Sequence, residues 1–218
     1  MSLMESLKWR SAVRNFDLAK KVSKNDLESL LEAGNLTATS MGLQPFKIVV
    51  VDNEELQKQM VSLSYNQQQV ADASHILIFA IDTNVNQENI DAYIDRVVEV
   101  RGVKEEDLEG YKNSVSNYLS MMDQDTKLQW ATKQAYIALG TVMTVASELK
   151  IDSCAMEGFD SLQYQELLNL GSKELMPVVI LPIGYRSDKE QMASLPKVRK
   201  TRDNFVIEIN ESEPVEFK

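Results

Sequence analysis

The chain has one cysteine, Cys154, one histidine, His75, and only eight glycines and five prolines among 218 residues. A single cysteine excludes an intramolecular disulfide, which suits a reducing compartment, so a cytoplasmic protein is expected. With one histidine and one cysteine the usual nitrogen and sulfur ligands of a zinc centre cannot be assembled, and no metal site is expected. Basic residues are scarce too, 23 against 33 acidic ones, a net charge of -10. That balance opposes a phosphate backbone, so nucleic acid is not an expected partner. No apolar run is long enough to span a bilayer, and residues 1–8 lack the apolar core of a signal peptide, so no membrane association is expected either.

What is present is enough apolar material, 44% of residues, for one substantial core. The expectation is a single domain over residues 1–210 with an acidic tail over 211–218. Ser23-Lys24-Asn25-Asp26 reads as a helix start with a capping box, and Leu27, Leu30, Leu31 and Ala33 continue at helical spacing until about Gly34. Three short β-branched runs, 46–51, 75–81 and 177–183, read as buried strands whose faces are covered by helices. Between the last two lies a mostly helical stretch from about Asn86 to Lys150. Its final helix carries Leu128, Ala131, Ala135, Ala138, Val142, Val145 and Leu149 at steps of three or four, broadened by Ile137, Leu139 and Ala146. Ala131, Ala135, Ala138 and Gly140 would admit a second helix closely. Phe205-Val206-Ile207-Glu208-Ile209 reads as a last strand, suited to pairing with a partner subunit.

Two basic clusters stand near opposite ends of this acidic chain. Arg10 and Arg14 are four apart, the spacing of one helical face, and read either as a solvated basic face or as an anion clamp. Lys197 and Arg199 would point the same way from an extended segment, as a fork. A bound anion would account for both clusters.

At this point the residues carry a resemblance. The opening Arg10-Ser11-Ala12-Val13-Arg14-Asn15-Phe16-Asp17 and the stretch Thr39-Ser40-Met41-Gly42-Leu43-Gln44-Pro45-Phe46 are followed, in order, by Asn66, Asp72-Ala73-Ser74-His75, Trp130 with Lys133-Gln134-Ala135-Tyr136, the run from Ile151 to Asp160, and Leu195-Pro196-Lys197-Val198-Arg199. The set resembles the FMN-dependent nitroreductases, in particular the oxygen-insensitive nitroreductases and the major flavin reductase of luminous bacteria. The resemblance implies an α+β three-layer sandwich with a mostly antiparallel central sheet, in a domain-exchanged homodimer with two FMN sites at its interface. It implies that Arg10, Lys197 and Arg199 hold the FMN phosphate, and that Ser11 and Ala12 line the phosphate and ribityl chain. Arg14, where relatives often carry lysine, would stand by the pyrimidine edge of the ring with Asn66 and Gln69, the last replacing a residue that is basic in close relatives. Ala38, Thr39, Ser40 and Gly42 would reach the flavin of the other subunit, with Ala38 and Gly42 in place of the frequent proline and asparagine, and Gln134 is carried over as a further contact. Ala155, Met156, Glu157 and Gly158 would cross the ring, Ala155 replacing a proline, with a backbone N–H of Glu157 or Gly158 near the hydride-accepting nitrogen. Arg14, Glu157 and Gly158 are thus the expected catalytic groups.

The implied activity is NAD(P)H-dependent reduction of nitroaromatics, quinones or flavins, with nicotinamide and a small flat acceptor using one face in turn. Dihydropteridine reduction and non-catalytic flavin storage are the alternatives. His75, at the start of an apolar strand, reads as structural, and Cys154 has neither an adjacent cation nor a histidine to make it a nucleophile. Tyr118, Met121 and Met122 read either as part of a substrate-covering helix or as core filling.

Overall fold

The computed structural model describes residues 2–209. Its centre is a sheet of four strands, three of them rich in apolar residues: β1 (Phe46–Val51), β2 (His75–Asp82), the short polar β3 (Asp152–Ser153) and β4 (Leu175–Gly184). They lie in the order β1-β2-β4-β3, every pairing antiparallel. With a period of two, Leu77, Phe79, Ile81, Val179, Leu181 and Ile183 face one side, while Ile76, Ile78, Ile180 and Val51 face the other. Each side closes under helices. Of the eight among the described residues, α1 (Leu3–Trp9), α2 (Lys24–Asn35), α3 (Glu54–Leu63), α4 (Gln69–Asp72), α5 (Gln87–Arg101), α6 (Glu109–Ser120), α7 (Gln124–Glu148) and α8 (Ser161–Leu167), α2, α5, α6 and α7 cover the first face and α3 and α8 the second. This is the α+β sandwich.

The 25-residue α7 is the spine of the thicker layer. Ala131, Ala135, Ala138 and Val142 are fully buried, whereas Ile137 is half exposed and Leu149 lies at the surface. The close helix approach is made by α2 rather than through Gly140, around which there is open space. A Cβ on Gly34 would lie 2.6 Å from Ile48 Cδ1 and 3.3 Å from Val142 Cγ2.

Two local expectations are corrected. Ser23 caps α2 by accepting from the Asp26 N–H at 3.1 Å, but the Asp26 carboxylate takes the Ser23 hydroxyl proton at 2.7 Å instead of the backbone N–H that would complete a capping box. Strand β1 is an edge strand, buried only at its two ends. Residues 205–209, read as a strand suited to a partner subunit, form none within the single chain, where Phe205, Ile207 and Ile209 are largely exposed. The acidic tail lies outside the described residues. Among the described residues no helix is long and apolar enough to cross a membrane.

Candidate functional site

Arg10 ends α1 with an extended backbone (φ -59, ψ 143), and the chain then runs without helix, Ala12 forming a parallel bridge to Ser153. The reading of Arg10 and Arg14 on one helical face is therefore wrong. Burial of Val13 and Phe16 and the bond from Val13 N–H to Ser153 O at 3.3 Å hold the segment open. An extended chain also sets residues two apart on one side, so Arg10, Ala12 and Arg14 line up opposite buried Val13.

The two basic clusters do meet. Lys197 Nζ donates to the backbone carbonyl of Arg10 across 187 residues of sequence. The Lys197 ammonium is destabilised first by burial and then by Arg10, Arg199 and Arg186, which lowers its pKa. Burial and Arg199 lower that of Arg10 in the same way. Arg10 Nε is buried with no hydrogen-bond partner among the described residues, and Arg10, Lys197 and Arg199 form no ion pair there. Neighbouring Arg186 is neutralised by Asp152, with contacts of 2.5–3.0 Å, and its guanidinium stacks on Trp9 at 4.5 Å. Three clustered cations, one with a stranded buried donor, fit a multivalent anion.

From Ser153, beside Ala12, the chain runs toward Gly158 over about 16 Å if fully extended. Cys154 and Met156 bond through their backbones to Pro182 and Ile180 of β4. The Cys154 thiol is buried and its pKa is raised, chiefly by that burial and against the nearby Arg14 and Arg10, so no thiolate nucleophile is favoured. At the far end the N–H groups of Glu157 and Gly158 have no acceptor among the described residues. Gln67 Nε2 donates to Gly158 O at 2.9 Å, and a Cβ on residue 158 would stand 2.9 Å from that same nitrogen, so glycine is what lets the two approach. Tyr136 donates its phenol proton to Glu157 Oε1 at 2.7 Å; burial and this bond push its pKa up to about 12. Asn66 is exposed, and consecutive left-handed residues, Tyr65 (φ 53) and Asn66 (φ 59), turn the chain there. Gln69 is buried, its amide donating to Gln67 Oε1 at 3.0 Å and approaching Met156 Sδ at 3.6 Å.

Ala38, Thr39, Ser40 and Gly42 lie elsewhere. The Ser40 N–H donates to Gln134 Oε1 at 2.8 Å, and Gln134 Nε2 donates to Trp130 O at 3.0 Å, so this glutamine anchors the 38–42 loop. Gln134 lies 14 positions before the end of α7 at Glu148, about 21 Å along the helix axis, and just beyond that end the Lys150 ammonium sits 4.5 Å over Trp9. Gln134 and Tyr136 also point about 160° apart around α7. The loop and the Glu157 turn thus flank α7 without meeting in one chain. A cavity of about 650 Å³ opens beside the loop and β1, lined by Gly42, Leu43, Gln44, Phe46, Tyr93 and Arg96 among others, and contains none of the basic cluster.

The sequence reading missed Gln67 and Glu190, and it placed Tyr136 in a family motif without giving it a role. Gln67 stands in an amide-rich run that could have drawn notice. Nothing local marks Glu190, which accepts N–H bonds from Arg14, Asn15 and Met192; these outweigh its desolvation and lower its pKa. His75 shares a 2.9 Å bond with the Ser74 hydroxyl and has its pKa lowered, mainly by burial. Tyr118 and Met121 are exposed near the end of α6, while Met122 packs on the core.

The family model described as "Nitroreductase family" matches residues 7–185. A Bacillus subtilis protein provisionally named NAD(P)H nitroreductase YfkO is 35% identical over 217 residues, covering 94% of this chain and 96% of its own. A Staphylococcus haemolyticus protein with the same provisional activity is 33% identical over 217 residues, with coverage of 94% and 96%. In structure, a provisionally assigned nitroreductase of Exiguobacterium sibiricum, crystallised in complex with FMN, superposes with a TM-score of 0.83 at 23% identity over 96% of this chain and 98% of its own.

Proposed function

Because the chain belongs to the nitroreductase family, we propose that it is an FMN-containing oxidoreductase that takes electrons from NAD(P)H and passes them to small flat acceptors. One observation carries the reading: among the described residues, a cluster of three cations that form no ion pair lies at one end of the Ser153–Gly158 run, and two backbone N–H groups with no acceptor lie at the other. That pattern fits an elongated ligand, anionic at one end and hydrogen-bonding at the other.

When bound, FMN supplies two-electron chemistry between a nicotinamide and an oxidised acceptor. Arg10, Lys197 and Arg199 hold its phosphate, and Ser11 and Ala12 run beside the chain that follows. The hydroxyl that Ala12 lacks is worth about 1 kcal/mol net, too little to abolish binding. Arg14 and Asn66 serve the pyrimidine edge, where a fixed positive charge favours the electron-rich state. Gln69 directs its amide donor inward, leaving Arg14 as the cation of that edge. Ala155 and Met156 lead to Glu157 and Gly158, whose N–H groups donate to the ring, with Tyr136 fixing the Glu157 carboxylate. Ala38, Thr39, Ser40 and Gly42, remote from these groups within one chain, come from a second copy, with Gln134 anchoring them. The active species is therefore a homodimer.

With one open face, nicotinamide and acceptor exclude each other. Varying NADH or NADPH against a nitroaromatic, a quinone, a free flavin and a pterin should give parallel double-reciprocal plots, from a flavin-loaded protein of twice the chain mass by light scattering. Intersecting plots would point to a ternary complex. Turnover of the pterin alone would narrow the activity to dihydropteridine reduction, and a flavin-loaded monomer would remove the second-copy assignment.

A further inference from the structure

Glu190 is half-buried in the chain that joins β4 to the Lys197 and Arg199 cluster. Its Oε2 accepts the backbone N–H groups of Arg14 at 2.8 Å and Asn15 at 3.1 Å, with Asn15 Nδ2 at 3.5 Å, and its Oε1 accepts the Met192 N–H at 3.0 Å. A carboxylate in a neighbourhood rich in guanidinium groups would ordinarily pair with one of them. This one is instead taken up by backbone amides, and the Arg14 side chain forms no ion pair among the described residues. Two further ties, Ser187 N–H to Asn15 O at 2.9 Å and Lys197 Nζ to Arg10 O, join the same two segments at either side. Bonds from N–H to an ionised acceptor are among the stronger ones a protein makes. The backbone of Arg14 is therefore clamped by a residue 176 positions away, while its guanidinium has no ion-pair partner among the described residues.

We propose that Glu190 is a positioning residue that fixes where Arg14 stands relative to the cationic cluster, and through Arg14 sets how strongly the protein favours the reduced cofactor. This rests on the flavin reading of the site. Glu190 acts on the segment whether or not a ligand is bound, so its effect is visible in the apoprotein.

The test compares wild type, Glu190→Ala, Glu190→Gln, Arg14→Ala and the double variant Glu190→Ala/Arg14→Ala. Amide hydrogen exchange of residues 10–15 in the apoprotein should quicken about tenfold or more in Glu190→Ala, with Glu190→Gln between it and wild type because one acceptor oxygen is kept. In the FMN-loaded proteins the midpoint potential should become more negative and flavin reduction should slow about tenfold in Glu190→Ala. FMN affinity should stay within about twofold, because the phosphate cluster is retained. The double variant should be no slower than Arg14→Ala, since a residue acting through Arg14 has nothing left to act on once that side chain is gone. Should Glu190→Ala fail to fold, Glu190→Gln and Glu190→Gln/Arg14→Ala make the same comparison. Additive effects in the double variant, unchanged exchange at 10–15, or an unchanged potential would overturn the proposal. Wild-type apoprotein that takes up no FMN would defeat the flavin reading and this proposal together, whereas wild type that binds FMN beside an unaffected Glu190→Ala defeats this proposal alone.

Discussion

Replacing both Lys197 and Arg199 by alanine is expected to weaken FMN binding about a hundredfold or more while leaving the apoprotein folded. Each charge-assisted bond to a phosphate is worth about 1.5–3 kcal/mol, and 1.4 kcal/mol is a tenfold change in affinity. Both side chains lie on an exposed segment that contributes little to the core. Removal of Arg199 also relieves Arg10 of a like charge that, after burial, lowers the Arg10 pKa. Arg199→Ala alone is the cleaner substitution, since Lys197 also bonds the Arg10 carbonyl, and it should cost about tenfold. Fluorescence titration of apoprotein with FMN measures both values. Unchanged affinity in a folded Arg199→Ala protein would remove the phosphate assignment.

Arg14→Ala should leave FMN bound and slow its reduction by NADH or NADPH about tenfold to a hundredfold, with the loss in the limiting rate rather than in nucleotide affinity. The guanidinium is exposed at the end of an extended segment, with a backbone fixed by Glu190. A cation placed where negative charge gathers stabilises the electron-rich state more than the starting one, which is the condition for acting on rate. Solvent exposure keeps the effect below that of a fully buried donor. Arg14→Lys should restore most of the rate. Stopped-flow bleaching with varied nucleotide separates the two constants, and an unslowed Arg14→Ala reduction would exclude the electrostatic role.

The layered core was legible wherever burial writes itself into local pattern. β2 lies inside the sheet, and its run of apolar residues says so; α7 carries small and branched residues at steps of three and four that match its buried face. Lys197 and Arg199 could be paired with Arg10 because an acidic chain that keeps two basic clusters needs a reason for both. What escaped depends on long-range partners. The segment from Arg10 to Arg14 is extended because Ser153 and Glu190 take its backbone N–H groups, and neither can be found by reading its neighbours. Residues 205–209 alternate like a strand, but alternation states only that a sheet edge would suit them, and within one chain they have none. Gln134 and Gln69 were carried over as ligand contacts, yet each has an internal task, one holding the Ser40 loop and the other backing Met156 and Gln67. The amide type was readable from sequence; the direction of the side chain was not.

The most direct test of the central claim is the visible spectrum of the freshly purified protein, recorded anaerobically before and after one equivalent of NADH or NADPH and again after a quinone or nitroaromatic is admitted. The expected result is a noncovalent flavin spectrum near one FMN per chain, bleached by the nucleotide and restored by the acceptor. A flavin that neither nucleotide bleaches would make the protein a flavin carrier, and a protein that takes up no FMN would contradict the account at its root.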